Sequence, residues 1–292
     1  MSNNQEKIIV TGASGNIGGK VVAGLVAKGY QPQVVVQKKI SNADWETAGV
    51  EQIEADMSKV DSLREAFSGA DKVFALTPFV ENLIELGRNT VEAAQSAQVK
   101  HIVRSSGLGA SPDAPIALGR WHGEVDRYLE DSGVDFTIIR PASFYQNYFA
   151  YSGSIKNQNC YYAPLGDAQI VLIDVRDIAA VAVAALTEDG HNGQKYSITG
   201  GEALSNTEIA DIFSDVLGRK ITYVDVSEEK THETMLNQGM PEWMAGAVLE
   251  LSAIGKAGYL ADVSPTFEQI LNRQPITFHQ FVEDNKTAFN RA

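Results

Sequence analysis

Short apolar runs recur along the first half of the chain, most of them followed by a stretch with helical spacing. Residues 7–10 favour a strand, and a helical pattern occupies 16–28. Residues 33–36 form a β-branched run suited to a strand buried on both faces. Further strands are predicted over 49–56, 70–76, 99–104 and 133–141, with helices over 58–67, 81–97 and 117–132. The helix over 81–97 turns Leu83, Leu86, Thr90 and Ala94 to one side. The one over 117–132 carries Trp121, Val125, Tyr128 and Leu129 as a stripe. Strands alternating with helices predict an α/β protein, a Rossmann-type doubly wound parallel sheet. The division expected is a nucleotide-binding domain over 1–155, then a mixed segment over 156–292. That segment crosses back to the sheet at 169–173 and forms a smaller C-terminal α/β lobe on the substrate side. Met235, Met240, Trp243, Met244, Val248 and Leu251 concentrate apolar mass in the lobe, as packing or as pocket lining.

Length and composition narrow the classes. A chain of 292 residues buries a sizeable core as one large domain or one with an appendage. Lys plus Arg is 24 against 37 Asp plus Glu, and the resulting −13 repels a phosphate backbone, so direct nucleic-acid binding is not expected. The single cysteine, Cys160, allows neither an intrachain disulfide framework nor a multi-cysteine metal site. The histidines at 101, 122, 191, 232 and 279 lack ligand spacing, so no metal is expected. The longest apolar run, 178–186, is too short to span a bilayer, and the polar opening 1–6 lacks the apolar segment of a signal peptide. A cytoplasmic protein without a membrane partner is expected, with room for a homodimer.

Candidate chemistry begins at the first strand. Glycines 12, 15 and 18 stand between it and the first helix, in the order a dinucleotide pyrophosphate needs. Gly12 turns the chain off the strand, Gly15 lets backbone N–H groups approach the phosphates, and Gly18 lets the helix pack close. Ser14, Asn16 and Ile17 complete the loop. The residue ending the second strand selects the cofactor, because an acid there repels a 2′-phosphate. This chain has Gln37, Lys38 and Lys39 instead, with no acid before Asp44. Two ammonium groups suit NADP(H) over NAD(H), unless they simply open a solvated loop. Thr77, Pro78 and Phe79 end the fourth strand, and Ser105 ends the fifth, at the sheet edge where ligands bind. His101 falls at the opposite edge, as a surface histidine.

The spacing Gly-x-x-Gly-x-x-Gly, after Thr11 and continuing through Asn16-Ile17-Gly18, resembles the short-chain dehydrogenase/reductase superfamily. That resemblance implies that Asp56 and Met57 border the adenine. Its usual Tyr-x-x-x-Lys pair, acid/base and helper, is absent: no tyrosine has a lysine four residues later. Against the Lys-x-x-x-x-x-Tyr-Leu pattern common in NmrA-like proteins, His122 takes the lysine position; the tyrosine of a Tyr-x-x-x-Lys pair would then fall at Leu118. Arg140-Pro141-Ala142-Ser143-Phe144-Tyr145-Gln146-Asn147 looks like the Arg-Pro-x-x-Phe-x-x-Asn of the NmrA-like branch, which closes over the nicotinamide. Asp174-Val175-Arg176-Asp177-Ile178-Ala179, residues 196–200 and 204–210, and Phe278 with Phe281 also resemble that branch. Ser205 with Glu208 further reads as a capping box.

The resemblance implies an NAD(P)H-dependent reductase of a small aromatic or conjugated compound such as a quinone or dye. His122, which would hold the nicotinamide ribose, Asn147 as a polar contact, and Tyr145 are the candidate catalytic residues, and Pro141 and Phe144 would border the cofactor. Phe79, Phe144, Tyr145 and Tyr148 are the expected substrate walls, although any of these aromatics equally suits a core. The alternatives are a non-catalytic NADP(H)-sensing regulator and a pathway-specific ketoreductase.

Overall fold

The computed structural model describes residues 6–291; the polar opening 1–5, where no signal segment is expected, lies outside them. In chain order the first part is β1 (Ile8–Val10), α1 (Asn16–Ala27), β2 (Gln33–Val36), α2 (Ala43–Ala48), β3 (Glu51–Glu54), α3 (Val60–Ala66), β4 (Lys72–Ala75), α4 (Leu83–Ser96), β5 (His101–Ser105), α5 (Ala117–Glu130) and β6 (Asp135–Pro141). Then come β7 (Ser143–Phe144), 3-10 turns over Tyr145–Tyr151, α6 (Ser152–Gln158), β8 (Cys160–Ala163), β9 (Ile170–Ile173), α7 (Val175–Thr187) and β10 (Gln194–Ile198). The remainder is β11 (Ala203–Leu204), α8 (Asn206–Leu217), β12 (Thr222–Asp225), α9 (Glu228–Asn237), α10 (Glu242–Lys256), α11 (Thr266–Leu271), α12 (Phe278–Asp284) and α13 (Lys286–Phe289).

Two compact units result. The first comprises residues up to Pro141 together with 175–197; the second comprises 142–174 and everything from Ile198. The boundary expected at 155 therefore falls at Pro141, and the first unit is discontinuous. Its seven-stranded sheet has the order β10-β6-β5-β4-β1-β2-β3, and β1 to β6 pair in parallel. The order reverses between β1 and β4, so a crevice opens beyond their carboxyl ends. Ile9, Val35, Val73, Ile102 and Ile138 fill the sheet side of an aliphatic core closed by Leu63, Phe67, Val91, Ala94 and Leu129. β-Branched residues suit this pleated, doubly covered surface. Helix α7 packs on α1, where Gly24 lets Val183 approach; a Cβ there would stand 2.9 Å from Val183 Cγ2.

One strand joins a different sheet than expected. The run 169–173 forms β9, which pairs with β7 and β11 in a three-stranded sheet of the second unit. The large sheet is completed by β10 instead. Pro141 ends β6, and the chain after it bends into the short β7 that recruits β9 in parallel. Beside this sheet lie a parallel pair, β8 with β12, and an aromatic core of Tyr145, Tyr148, Tyr161, Phe213, Phe278, Phe281 and Phe289. Helix α8 starts with the expected capping box: the Ser205 side chain accepts from the Glu208 N–H, and Glu208 accepts from the Ser205 N–H at 2.8 Å. Among the described residues no helix is long and apolar enough to cross a membrane.

Candidate functional site

The crevice at the β1–β4 reversal is built first by Thr11. Its N–H donates to the Phe74 carbonyl at 3.0 Å, its hydroxyl donates to the Leu76 carbonyl at 3.0 Å, and the Leu76 N–H donates back at 2.9 Å. These bonds lock the end of β1 to the end of β4. Gly12 then turns with φ +65°, a left-handed conformation that favours glycine. The Gly15 N–H donates to the Gly12 carbonyl at 3.0 Å, closing the loop. A Cβ on Gly18 would overlap that same carbonyl, so only glycine lets α1 begin this close to the loop. Gly15 caps α1 with no side-chain hydrogen bond, and Ser14, Gly15 and Asn16 are exposed. The first-turn N–H groups, at the positive end of the helix dipole, are thus left for an anion. This cradle, filled by any side chain larger than hydrogen at Gly18, fits a dinucleotide pyrophosphate.

The corner after β2 carries the exposed Gln37, Lys38 and Lys39. Neither lysine is ion-paired among the described residues. The backbone of this corner is fastened from β3: Glu54 accepts from the Lys39 N–H at 2.9 Å, and Gln52 bonds both the N–H and the carbonyl of Ile40. An acid therefore does reach the corner, from the neighbouring strand, but it is engaged by the main chain. Asp56, after β3, is drawn into its own turn. It accepts from the Ser58 hydroxyl at 2.7 Å and the Ser58 N–H at 3.0 Å, bonds that hold its carboxyl below the usual range. Met57 beside it is half-buried, and its carbonyl accepts from Asn89. Thr77 and the exposed Pro78 lead to Phe79, whose ring lies 6.4 Å from that of Trp121.

At the ends of β5 and β6 the structure holds a feature that the sequence reading did not single out. Arg104 and Asp126 are each 1% exposed and form an ion pair, Nε to Oδ1 at 3.3 Å. The other Asp126 oxygen accepts from Arg140 Nε at 3.0 Å, Arg140 Nη2 at 2.9 Å and the Ser106 hydroxyl at 2.9 Å. Ser105 is buried beside it, and its carbonyl accepts from Arg104 Nη1 at 2.7 Å. His122, half-buried on α5, lies with Nδ1 3.5 Å from Arg104 Nη2. Burial first, and then the Arg104 charge, push its pKa down to about 3, so the imidazole is neutral at physiological pH. The signal for this cluster was a charge in the apolar run of β5 and an acid beside Val125 on the apolar stripe of α5.

The expected site residues after Pro141 lie in the second unit. Pro141 itself is buried at the end of β6, where its carbonyl accepts from the Leu108 N–H. Phe144 is half-buried and Asn147 exposed. Tyr145 and Tyr148 are 1% and 5% exposed, inside the aromatic core. The Tyr145 hydroxyl donates to the Ile276 carbonyl at 3.2 Å, and its ring meets Phe278 edge-on at 5.1 Å. The Tyr148 hydroxyl donates to Asn206 Oδ1 at 3.3 Å. The structure thus places both tyrosines as packing groups. Gly12, Ser14, Gly15, Asn16, Ile17, Gln37, Lys38, Lys39, Asp56, Met57, Thr77, Pro78, Phe79, Ser105, His122 and Pro141 all belong to the first unit. They stand at the carboxyl ends of its parallel strands or on the loops and helices that follow them.

Known proteins match along nearly the whole chain. The model of the NmrA-like family matches residues 4–281. An NAD(P)H azoreductase of Xenophilus azovorans is 38% identical over 285 residues, covering 98% of this chain and 100% of that protein. A (4-alkanoyl-5-oxo-2,5-dihydrofuran-3-yl)methyl phosphate reductase of Streptomyces griseus is 31% identical, covering 97% of this chain and 99% of that one. The crystal structure of an NADPH-dependent quinone oxidoreductase of Escherichia coli, complexed with NADPH, superposes with a TM-score of 0.87 at 26% identity. It covers 96% of this chain and 99% of its own. With a glycine cradle and an uncapped helix start at the β1–β4 reversal, the chain belongs to the NmrA-like family and stands there among the NAD(P)H-dependent oxidoreductases.

Proposed function

We propose that this protein reduces an electron-poor aromatic or conjugated carbonyl compound, such as a quinone or azo dye, with NADPH and without a tyrosine acid/base. The observation that carries this reading is the setting of His122: with the Arg104 guanidinium 3.5 Å from its Nδ1, the imidazole is held neutral, a hydrogen-bond donor and not an acid at working pH. A simple ketone builds an alkoxide as it takes hydride and needs a placed proton. A quinone or azo compound accepts hydride into a delocalised system, and water supplies the proton afterwards.

The bound dinucleotide supplies the hydride. The protein's part is binding and alignment. The α1 N-terminus and the backbone of 12–18 hold the pyrophosphate. Lys38 and Lys39, exposed and unpaired among the described residues, are free to meet a 2′-phosphate, which supports NADPH over NADH. His122 donates to a ribose oxygen, the role its position in the family pattern implies, and Phe79 beside Trp121 offers a flat apolar edge to the acceptor. Holding donor and acceptor in register accounts for several kcal/mol of barrier reduction, about 7–11 at best. The named relatives, reducers of azo compounds, a conjugated lactone and quinones, support the same class.

The test is oxidation of NADPH and NADH against quinones, azo dyes and simple ketones. Turnover of quinone or dye with NADPH and none of ketones is expected. Lys38→Glu with Lys39→Glu lowers kcat/KM for NADPH about tenfold and spares NADH, a discrimination of about 1.4 kcal/mol. A preference for NADH, or ketones reduced as fast as quinones, overturns the reading.

A further inference from the structure

The ion cluster behind His122 has a direction. Asp126 Oδ2 takes three donors, two from Arg140 and one from Ser106, and Oδ1 faces Arg104 Nε. Arg104 Nη1 is held by the Ser105 carbonyl. With Nη1 held and Nε ion-paired to Asp126, though not hydrogen-bonded to it, Arg104 Nη2 is left against His122, 3.5 Å from Nδ1 and 3.5 Å from the His122 carbonyl. A guanidinium carries donors only. The ring nitrogen facing it must therefore present a lone pair, because an Nδ1–H would meet an N–H head on. A neutral imidazole with a bare Nδ1 carries its proton on Nε2. His122 Nε2 makes no hydrogen bond to any described residue, and the ring edge beside it lies against Gly107, where a Cβ would stand 3.3 Å from Cδ2.

We infer that Arg104, held by the Ser105 carbonyl and ion-paired with Asp126, is the positioning residue that fixes His122 as an Nε2–H donor to the cofactor. The inference rests on the reading of His122 as a cofactor ligand. Packing alone does not call for the arrangement: a buried ion pair seldom stabilises more than an apolar pair of its shape. Residues 102 and 103, which precede Arg104 on β5, are aliphatic and buried.

The test is long-range nitrogen–proton correlation on the 15N-labelled protein, with the His122 signals identified by their loss in His122→Gln. The wild type is expected to show Nε2 protonated and Nδ1 bare throughout the neutral range. In Arg104→Met and in Asp126→Asn the ring is expected to sample both tautomers, and the dissociation constant for NADPH to rise about tenfold. Arg104→Lys, which keeps a cationic donor, restores the single tautomer. An Nδ1–H form in the wild type overturns the inference even where no variant folds. So does a wild-type tautomer in a variant whose backbone spectrum is native. NADPH affinity unchanged in His122→Gln removes the cofactor role of His122, while the wild-type tautomer still reports on Arg104 alone.

Discussion

The two units set their buried polar groups against different cores, one aliphatic and one aromatic. In the first, an aliphatic core of Ile9, Val35, Val73, Ile102 and Ile138 adjoins a buried charged cluster, Arg104 with Asp126 and Arg140, and Asp177 on α7 is a further buried acid. That cluster stands at the carboxyl ends of β5 and β6, on the ligand edge of the sheet. In the second, Asp174 is buried as well, but the aromatic core itself holds tyrosine hydroxyls with neutral partners: Tyr161 donates to the Asn206 carbonyl at 2.7 Å, and Tyr148 to the Asn206 side chain. Neutral hydroxyls suffice where the task is to fasten helices to strands.

The contrast predicts which substitutions cost fold and which cost binding. The largest stability loss should come from the aromatic side. Phe278→Ala removes a ring that meets Tyr145, Tyr148, Phe213 and Phe281, and should lower unfolding free energy by about 3–5 kcal/mol in a denaturant titration. Gly18→Ala should act on binding, weakening NADPH about a hundredfold by calorimetry, or about 2.7 kcal/mol, because its Cβ displaces the Gly12 carbonyl.

His122→Gln separates the two effects by pH. Below about 6.5 the unfolded wild-type chain protonates this histidine, while the folded one does not until about 3. The wild type therefore loses stability as pH falls through that window, by up to about 1.4 kcal/mol per pH unit. The variant lacks this loss, so its unfolding midpoint should fall less between neutral and mildly acidic solution. His101 and His191, also pushed down chiefly by burial, act equally in both proteins and cancel. The smallest effect belongs to Tyr161→Phe, which removes one hydroxyl bond and should cost about 1 kcal/mol by thermal unfolding.

The elements of the first unit were legible because their signals are local. The run 33–36 is a strand with those bounds, and the helix expected over 117–132 is found at Ala117–Glu130. The glycine loop was legible for the same reason: strand, turn and helix are contiguous. Tyr145 and Tyr148 were not, because their burial is decided by Phe278, more than a hundred residues away. The run 169–173 had the apolar character of a central strand, yet its pairing partner was set by the exit of the chain at Pro141, which periodicity does not encode. Arg104 and Asp126 meet across twenty-two positions, and neither residue type announces burial. An arginine following Ile102 and Val103, and an acid beside Val125 on the stripe of α5, were the traces of the pair in the sequence.

The discontinuity of the first unit bears on how the protein comes into being. During synthesis, the six parallel strands emerge with β6 exposed as an unpaired edge and with the side of α1 that receives Val183 bare. Neither is covered until α7 and β10 have left the ribosome, after the excursion over 142–174 has been made. A nascent chain halted at Pro141 would display a sticky edge of the kind chaperones recognise, so a chain that already holds the glycine loop, Lys38, Lys39 and His122 waits for residue 197 before its scaffold can close.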